Sequence, residues 1–212
     1  MDVEREKRSA AEAAAELVED GMRVGLGTGS TVGLFLPALA RRRLSLRCVA
    51  TSPATEAAAR QLGLPVEPFE ELDRLDIAVD GADQIAPDCW VVKGGGGAHT
   101  REKVVAAAAA RFVVIASSDK LVEAIGPPIP LELLAYGVAA TLHRLAPAEL
   151  RNVPSSPDGG LIADYRGPVA DPAAVAARLA GTPGVVEHGL FPPELVTEIF
   201  VGRGADVERR TI

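Results

Sequence analysis

Acidic, basic and glycine residues are concentrated in one short stretch of the sequence. It contains Asp80, Asp83, Lys93, four consecutive glycines at positions 94–97, and Glu102. Carboxylates can accept and return protons, and a lysine can stabilise negative charge on an oxygen atom. Glycines let the backbone come close to a ligand, because they carry no side chain. This combination of residue types indicates an active site.

The two aspartates follow an apolar segment, residues 77–79, which predicts a buried strand that ends at Asp80. Ligands of open α/β sheets bind at the carboxyl ends of the strands, so both carboxylates are candidates for binding hydroxyl groups and transferring protons. Aspartates in a sequence such as Asp-Gly-Ala-Asp also stabilise turns and helix starts. The sequence leaves a purely structural role open for Asp80 and Asp83.

Lysine is rare in this chain: the 22 basic residues include only four lysines, Lys7, Lys93, Lys103 and Lys120. A chain that otherwise uses arginine retains lysine where a compact ammonium group is needed. Lys93 lies directly before the glycines, where its charge could neutralise an oxyanion as it forms. The alternatives are a chance bias in composition and, for Lys93, a solvated position on the surface.

Glu102 lies in the first turn of a predicted helix over residues 100–111. Acids are favoured there by about 0.3–1 kcal/mol, because the helix dipole is positive at its N-terminus. Such a field lowers the pKa of a carboxyl group, whereas burial raises it. A general base that works near neutral pH requires burial to prevail. The sequence leaves both the structural and the catalytic interpretation of Glu102 open.

A second candidate binding site is the sequence GLGTGST, residues 25–31, between a predicted strand and a predicted apolar helix. This arrangement presents N–H groups and positive potential to a phosphate. The segment lacks the third glycine of a dinucleotide fingerprint and the lysine of a Walker loop. The hydroxyls of Thr28, Ser30 and Thr31 suit the terminal phosphate of a small molecule. The alternative is that they only cap the helix.

The elements that must position these residues alternate between strands and helices over residues 1–126. This order indicates a parallel, Rossmann-like sheet with right-handed crossovers. The predicted helices are residues 3–20, 32–39, 53–63 and 100–111, and the predicted strands are residues 22–26, 46–51, 77–79 and 112–116.

Three prolines directly after residue 126 predict a linker. The following helices and strands form a small α+β set that could act as a lid, and residues 198–207 are predicted to return to the main sheet. We therefore expect an α/β fold with two domains. The Rossmann-like catalytic domain is predicted over residues 1–126 and 198–212, and the small α+β lid domain over residues 127–197.

The composition predicts a globular protein, since 48% of the 212 residues are hydrophobic. The formal net charge of −7 disfavours nucleic acid and anionic membrane surfaces as partners. The N-terminal sequence MDVEREKRSA lacks the apolar core of a signal peptide, which predicts a cytoplasmic location. The three histidines are scattered and no CxxC or HExxH motif occurs, so we expect neither a metal nor a cofactor.

Four motifs, in this order and spacing, resemble the ribose-5-phosphate isomerase type A family: GLGTGSTV, VDGADQI, VKGGGGAHTREK and ASSDK. The resemblance is close over residues 1–126 and continues more weakly through PIPLEL, GTPGVVEHGLF and GRGADV. Each motif is moderately specific, and the set of four is specific. The segment of residues 131–160 is shorter than the corresponding segment of the family and less similar in sequence. This departure concerns the predicted lid and assembly more than the predicted chemistry.

The resemblance implies a metal-independent aldose–ketose isomerase without a cofactor, acting on pentose 5-phosphates in the non-oxidative pentose phosphate pathway. It would interconvert D-ribose 5-phosphate and D-ribulose 5-phosphate through an enediol(ate). The fold that the resemblance implies is a Rossmann-like domain with a ferredoxin-like lid, in a homodimer or homotetramer.

The resemblance also assigns roles to individual residues. Glu102 corresponds to the proton acceptor, and Lys93 to the group that stabilises charge on the intermediate. Asp80 and Asp83 correspond to acids that bind hydroxyls and assist ring opening. The implied substrate-binding residues are Lys7, Thr28, Gly29, Ser30, Thr31, Asp80, Gly81, Ala82, Asp83, Lys93, Gly94, Gly95, Gly96 and Lys120.

Two other classes of protein are alternatives. A sugar-phosphate-binding regulator would use the same pocket without turnover, and it would not need an acid at position 102. An acyl-CoA transferase or a glucosamine-phosphate deaminase-like enzyme would have a related fold, and a transferase would use a glutamate as a covalent nucleophile. The phosphate-suited loop and Lys93 argue against the second class.

Overall fold

The structure is a computed structural model that describes residues 2–212, except for the side chain of Glu71. The chain divides into two compact units, each built from several segments. Unit 1 comprises Met1–Ala82, Arg101–Lys120 and Pro193–Ile212, and unit 2 comprises Asp83–Thr100 and Leu121–Pro192. The predicted boundaries of the two domains, at residues 126/127 and 197/198, stay a prediction.

Helices and strands alternate through most of the chain. The helices are α1 (Val3–Ala15), α2 (Ser30–Arg41), α3 (Pro53–Gln61), α4 (His99–Ala108), α5 (Val138–Leu145) and α6 (Pro172–Ala180). The strands are β1 (Arg23–Leu26), β2 (Arg47–Ala50), β3 (Ile77–Asp80), β4 (Gln84–Ile85), β5 (Val91–Val92), β6 (Phe112–Ser117), β7 (Ile129–Leu133), β8 (Ala148–Leu150), β9 (Leu161–Tyr165), β10 (Val185–His188), β11 (Leu190–Phe191), β12 (Glu198–Arg203) and β13 (Asp206–Thr211).

Unit 1 is built on a six-stranded sheet in the order β13-β12-β6-β3-β1-β2. Its strands are parallel except for β13, which pairs with β12 as an antiparallel hairpin. From β1 the chain moves first to β2 on one side and then to β3 on the other, so the order reverses between β1 and β3. The predicted Rossmann-like sheet is confirmed, and so is the predicted return of the C-terminal segment to this sheet.

The two faces of β1 pack against different helices. Val24 and Leu26 belong to the core that contains Phe35 of α2 and the alanines of α1. Gly25 points to the other face, because successive strand residues alternate. A Cβ at Gly25 would lie 2.5 Å from Cγ1 of Val105 in α4. This glycine therefore lets α4, the helix that carries Glu102, lie directly against the sheet.

Two helices of unit 1 end earlier than predicted, because tertiary contacts take their backbone groups. α1 ends at Ala15, where the predicted helix continued to residue 20, and the Arg42 guanidinium donates hydrogen bonds to the carbonyls of Ala15 and Val18. α4 ends at Ala108, and the backbone of the next residues pairs with Leu75. The hydrophobic periodicity of the sequence gives no information about such tertiary hydrogen bonds, so the predicted ends of the helices were too late.

Unit 2 contains the order β7-α5-β8-β9-α6-β10, and its antiparallel sheet has the strand order β10-β7-β9-β8. This is the ferredoxin-like βαββαβ arrangement that was predicted. The predicted linker is wrong at residues 129 and 130, which begin the interior strand β7. Pro130 cannot donate a hydrogen bond, but its carbonyl accepts one from the Gly189 N–H at 2.7 Å. A smaller sheet, β11-β5-β4, completes the unit.

No helix within residues 2–212 is long and apolar enough to cross a membrane.

A bidentate ion pair joins the starts of β1 and β3 in unit 1. Arg23 donates from Nη2 to Asp76 Oδ1 at 2.6 Å and from Nε to Oδ2 at 3.0 Å. These hydrogen bonds lower the pKa of Asp76 from 3.8 to about 2. The stabilisation is complete above the ordinary pKa of a free aspartate, and it is lost as the pH falls through the lowered value.

We expect Asp76→Ala to lower the melting temperature by about 2–4 °C at pH 7, the shift that about 1 kcal/mol produces in a chain of this length. Thermal unfolding from pH 7 to pH 2 would show the difference from the unsubstituted chain shrinking below pH 4. A difference that stayed constant down to pH 2 would contradict a stabilising role for the ionised carboxylate.

Candidate active site

The carboxyl ends of β1, β3 and β6 lie side by side in unit 1, because these strands are parallel neighbours. Each strand leads into a segment that the sequence analysis singled out: residues 27–29 after β1, residues 81–82 after β3 and residues 118–120 after β6. The point where strand order reverses lies between β1 and β3. This is where open α/β sheets bind their ligands.

Asp80 is held against the backbone at this point. Its side chain is 2% exposed, and Oδ1 accepts hydrogen bonds from the N–H groups of Thr28 at 3.0 Å and Gly81 at 2.7 Å. A Cβ at Gly27 would lie only 2.0 Å from Cγ of Asp80. Glycine at position 27 is therefore required for the carboxylate to come this close to the loop. Asp80 connects two neighbouring loops, whatever else it binds.

The glycine-rich loop reaches α2 without a side-chain cap. The N-cap residue is Gly29, with φ +119°, and no side chain bonds the free N–H groups there. The capping interpretation of Thr28, Ser30 and Thr31 is therefore wrong. Ser30 is exposed, whereas Thr31 is only 9% exposed. The first turn of α2 thus presents backbone N–H groups and one exposed hydroxyl.

Below the loop lies a cluster of hydroxyl groups that the sequence analysis missed. Thr28 Oγ1 lies 2.8 Å from Thr51 Oγ1 and 3.4 Å from Thr55 Oγ1. Thr55 Oγ1 also donates to the carbonyl of Gly27 at 2.8 Å, and Ser52 Oγ donates to Thr55 Oγ1 at 3.1 Å. Thr51, Ser52 and Thr55 follow β2, so the end of this strand was the signal available in the sequence. The cluster fixes the position of Thr28.

Glu102 lies on the sheet-facing side of α4. Glu102 is 4% exposed, and the neighbouring helical residues Val105 and Ala106 are similarly buried, at 5% and 2%. Val104, on the opposite side of the helix, is 53% exposed. The burial that a general base requires is therefore present. A purely solvated acid at the helix start is excluded.

Lys7 and Lys120, two of the implied substrate-binding residues, lie on segments that Glu6 connects. The Glu6 carboxylate accepts hydrogen bonds from the Ser118 N–H at 2.9 Å, the Ser118 hydroxyl at 2.6 Å and the Gly204 N–H at 3.3 Å. The bonds from Ser118 lower the pKa of Glu6. Lys7 follows on α1 and Lys120 follows Ser118, so one buried carboxylate joins both segments. The sequence offered no signal for Glu6 beyond its place beside Lys7.

Both lysines also have acidic neighbours. Lys7 Nζ lies 2.8 Å from Glu4 and its side chain is 14% exposed, while Lys120 Nζ lies 3.4 Å from Asp119 and is 34% exposed. Burial raises the pKa of Asp119, but the hydrogen bond from Ser117 and the charge of Lys120 outweigh it, so the pKa is lowered overall. Asp119 is therefore ionised at neutral pH and offsets part of the positive charge.

Lys93 is buried in unit 2, directly after β5. It is 2% exposed, so a solvated surface position is excluded. Its N–H donates to the carbonyl of Gly189 at 2.9 Å, and Nζ lies 5.6 Å from the ring centroid of Phe191. A cation over an aromatic face is stabilised by the ring quadrupole. The amino group of Lys93 therefore lies inside the protein, against the face of an aromatic ring.

Asp83 and the glycines that follow Lys93 contact each other in unit 2. The Gly95 N–H donates to Asp83 Oδ2 at 2.8 Å, and Gly94 has φ +108°. Gly94 and Lys93 are buried, whereas Gly95 and Gly96 are exposed. Asp83 is exposed, and it lies in unit 2, whereas Asp80 lies in unit 1. The predicted site residues therefore fall into two groups, one in each unit.

The group in unit 1 contains Lys7, Thr28, Gly29, Ser30, Thr31, Asp80, Gly81, Ala82, Glu102 and Lys120, and the group in unit 2 contains Asp83, Lys93, Gly94, Gly95 and Gly96. Among the side chains of residues 2–70 and 72–212, no group of three or more His, Cys, Asp or Glu residues is arranged to hold a metal ion.

Polar groups at the reversal point of a doubly wound sheet define an α/β enzyme that acts on a small polar molecule. A family model for ribose 5-phosphate isomerase A (phosphoriboisomerase A) matches residues 47–206. The chain belongs to this family, and it is an isomerase.

Relatives and solved structures agree with this assignment over almost the whole chain. Ribose-5-phosphate isomerase A of Caulobacter vibrioides (strain NA1000 / CB15N) is 46% identical over 225 aligned positions that cover 99% of each chain. The structure of ribose 5-phosphate isomerase A from Methanocaldococcus jannaschii has a TM-score of 0.91 at 33% identity, covering 97% of this chain and 98% of that one. A D-ribose-5-phosphate isomerase in complex with phospho-erythronic acid has a TM-score of 0.93 at 32% identity, with both chains covered completely. The predicted family and fold class are confirmed.

We expect Gly27→Ala to lower kcat/KM for ribose 5-phosphate by about 100-fold, because its Cβ would displace Asp80, and a shift of this size in a positioned group costs about that factor. Steady-state kinetics measures the effect. Gly33→Ala is the matched control, since a Cβ at Gly33 meets nothing within 4 Å in helix α2. The control should keep its activity and gain about 1 kcal/mol of stability. Equal activity in both variants would contradict the steric requirement at Gly27.

Proposed function

We propose that Glu102 carries the proton between C1 and C2 when the enzyme interconverts D-ribose 5-phosphate and D-ribulose 5-phosphate. The proton leaves C2 of the open-chain aldose, and the C1–C2 enediol(ate) forms with its negative charge on O1. The hydroxyl proton of O2 is transferred to O1, and the same carboxyl group returns the carbon-bound proton to C1. The observation that carries this proposal is the burial of Glu102, which is 4% exposed in the first turn of α4. Burial shields the carboxylate from bulk water, which strengthens its interaction with a bound substrate.

Lys93 would stabilise the negative charge that develops on the sugar oxygen. A buried ammonium group is more effective against an oxyanion than a solvated one, because the surrounding dielectric is low. The 2% exposure of Lys93 and its place over the Phe191 ring support this role. No cofactor is needed for this step, because the reaction moves only protons and an electron pair within the substrate.

Asp80 and Asp83 would bind hydroxyl groups of the sugar and assist ring opening. Asp80 accepts two backbone N–H groups through Oδ1, which fixes its carboxylate at the carboxyl end of β3, where we assign it to a substrate hydroxyl. Asp83 bonds Gly95 through Oδ2, which places it beside the turn formed by residues 94–96. We assign the backbone of this turn, together with Gly81 and Ala82, to the surroundings of the sugar.

The phosphate would bind at the start of α2, between residues 28 and 31. The free N–H groups of the first helical turn and the exposed Ser30 hydroxyl support this assignment. Lys7 and Lys120 would supply positive charge, and Glu6 would keep their segments together through Ser118.

We expect Glu102→Gln to lower kcat by about 10²–10⁴-fold, because an amide cannot accept the C2 proton. Binding of ribose 5-phosphate should change little, as isothermal titration calorimetry would measure. Glu56→Gln is the matched control: Glu56 lies in the first turn of α3 and pairs with Arg60 on the surface. A Glu102→Gln enzyme with wild-type turnover would remove Glu102 from the reaction.

Proton NMR in D₂O separates turnover from mere binding. The enzyme should introduce deuterium at C2 of ribose 5-phosphate while ketose signals appear. A regulatory protein would bind the sugar phosphate and leave both signals unchanged. If the unsubstituted chain produced neither deuterium exchange nor ketose, the proposed function as a whole would be overturned.

We expect EDTA to leave the isomerisation rate unchanged, because the proposed proton carrier and charge stabiliser are Glu102 and Lys93. Rates measured before and after dialysis against the chelator test this. A loss of activity that a divalent ion restores would contradict the metal-independent mechanism.

We further propose that the chain acts in the cytoplasm as a homodimer or homotetramer. The resemblance to the family supports the assembly, as does the exposure of large apolar side chains in unit 2, notably Tyr136 at 94% and Leu134 at 52%. Light scattering coupled to size-exclusion chromatography would measure the oligomeric state, and a monomer at micromolar concentration would contradict it.

A further inference from the structure

Arg151 contacts the glycine turn of unit 2 from a part of the chain that carried no functional signal. It follows β8 in the segment that departs from the usual family pattern. Its Nη1 donates to the carbonyl of Gly94 at 3.0 Å and to the carbonyl of Gly95 at 3.2 Å. Its Nε and Nη2 donate to Asp164 of β9 at 3.0 and 2.6 Å. The guanidinium therefore joins the turn to the ferredoxin-like sheet.

This ion pair is shielded from water. The Arg151 side chain is 18% exposed, and that of Asp164 is 9% exposed. A bidentate pair in such surroundings has a defined geometry, because both charge-assisted hydrogen bonds are short and the guanidinium is planar. Asp164 thus fixes the plane of the guanidinium, and the remaining Nη1 is directed at the two carbonyls.

The turn needs external contacts of this kind, because glycine loses more conformational freedom on folding than any other residue. Gly94 and Gly97 have φ values of +108° and +72°, and the Gly97 N–H donates to the Gly94 carbonyl at 3.1 Å. On the other side, Asp83 accepts the Gly95 N–H at 2.8 Å. The peptide between Gly94 and Gly95 is therefore held at its carbonyl by Arg151 and at its N–H by Asp83.

The hydrogen bonds to Arg151 also determine where the next N–H group points. The carbonyl and the N–H of a trans peptide lie on opposite sides. Because the Gly95 carbonyl faces Arg151, the Gly96 N–H faces away from it. A positively charged donor on the carbonyl polarises the peptide and strengthens its N–H as a donor. The exposed Gly96 N–H is thereby oriented before any ligand binds.

We propose that Arg151 is a positioning residue for the isomerase reaction. It holds the turn at residues 94–96 in the conformation that presents the Gly96 N–H to the sugar and keeps Lys93, the residue before the turn, in place. This inference rests on the proposed function, which assigns Lys93 and the turn to the substrate. Arg151 itself does not touch the reacting atoms; it acts through Gly94 and Gly95.

Lysine cannot replace arginine in this role. The contacts require one nitrogen on two carbonyls and two further nitrogens on one carboxylate, all in one plane. An ammonium group is a point donor and can satisfy one side only. The same geometry predicts that a free guanidinium ion can occupy the space left by a truncated side chain.

The test is Arg151→Ala, compared with Arg166→Ala as the matched control. Arg166 lies next to β9, pairs with Glu149 at 2.6 Å and is 49% exposed, and its Nη2 is 3.9 Å from Asp164 Oδ2, beyond hydrogen-bonding distance. Its loss therefore removes an arginine from the same sheet and leaves both hydrogen bonds between Arg151 and Asp164 in place. We expect kcat for ribose 5-phosphate to fall by about 10–100-fold in Arg151→Ala, the range that a misplaced catalytic group produces. The control should stay within two-fold of the unsubstituted enzyme, as about 0–1 kcal/mol is the usual worth of a surface pair.

Chemical rescue distinguishes positioning from a general loss of stability. Millimolar guanidinium should restore part of kcat in Arg151→Ala, whereas methylammonium at the same concentration should not. Thr141→Val serves as a stability control, because Thr141 bonds the Pro183 carbonyl at 3.3 Å and is 6% exposed, away from the turn. It should lower the melting temperature, with kcat unchanged and no response to guanidinium.

Three outcomes would overturn the proposal: wild-type kcat in Arg151→Ala, a loss that guanidinium does not relieve, or a loss that follows the melting temperature across both destabilised variants. Should Arg151→Ala fail to fold, Arg151→Lys preserves the charge without the fork, and its kcat must fall in the same direction. These results are separate from the proposed function, since that fails only if the unsubstituted chain does not isomerise the sugar phosphate.

Discussion

A carboxylate held against backbone N–H groups is the interaction on which the unit 1 site depends. Asp80 lies at the end of a buried strand, and its Oδ1 takes the N–H groups of Thr28 and Gly81. Two loops from neighbouring strands are thereby joined through one side chain. The contact is possible only because residue 27 has no Cβ. The glycine-rich sequence thus accommodates the carboxylate of Asp80.

The turn at residues 94–97 in unit 2 is a backbone segment that side chains hold from outside. There the backbone is free of side chains, and its order comes from side chains elsewhere in unit 2. Asp83 accepts an N–H from the turn, and Arg151 donates to two of its carbonyls. Two charged residues of opposite sign therefore bind opposite edges of one peptide. These contacts give the four glycines a defined backbone conformation without any side chain of their own.

The buried charges of the protein are of two kinds. Glu6 and Glu198 each have their hydrogen-bonding capacity satisfied by neighbours that lower the pKa, although burial alone raises that of Glu198. These carboxylates stay ionised and hold elements together. Glu102 is buried in the first turn of α4, and Lys93 is buried with its side chain over an aromatic ring. Burial alone therefore does not mark a functional residue, and its partners must be known.

The sequence by itself determined the alternating strands and helices of unit 1, its resemblance to the family implied the ferredoxin-like unit, and its motifs singled out Asp80, Lys93 and Glu102 as candidate site residues. It could do so because apolar periodicity, glycine positions and motif spacing are local properties. Only the tertiary structure decided that Glu102 and Lys93 are buried, that Pro130 lies in an interior strand, and that α1 ends at Ala15. It also revealed Glu6 and Arg151, whose partners lie 112 and 57 positions away along the chain. Contacts between such distant residues depend on how the chain packs, and no local pattern records them.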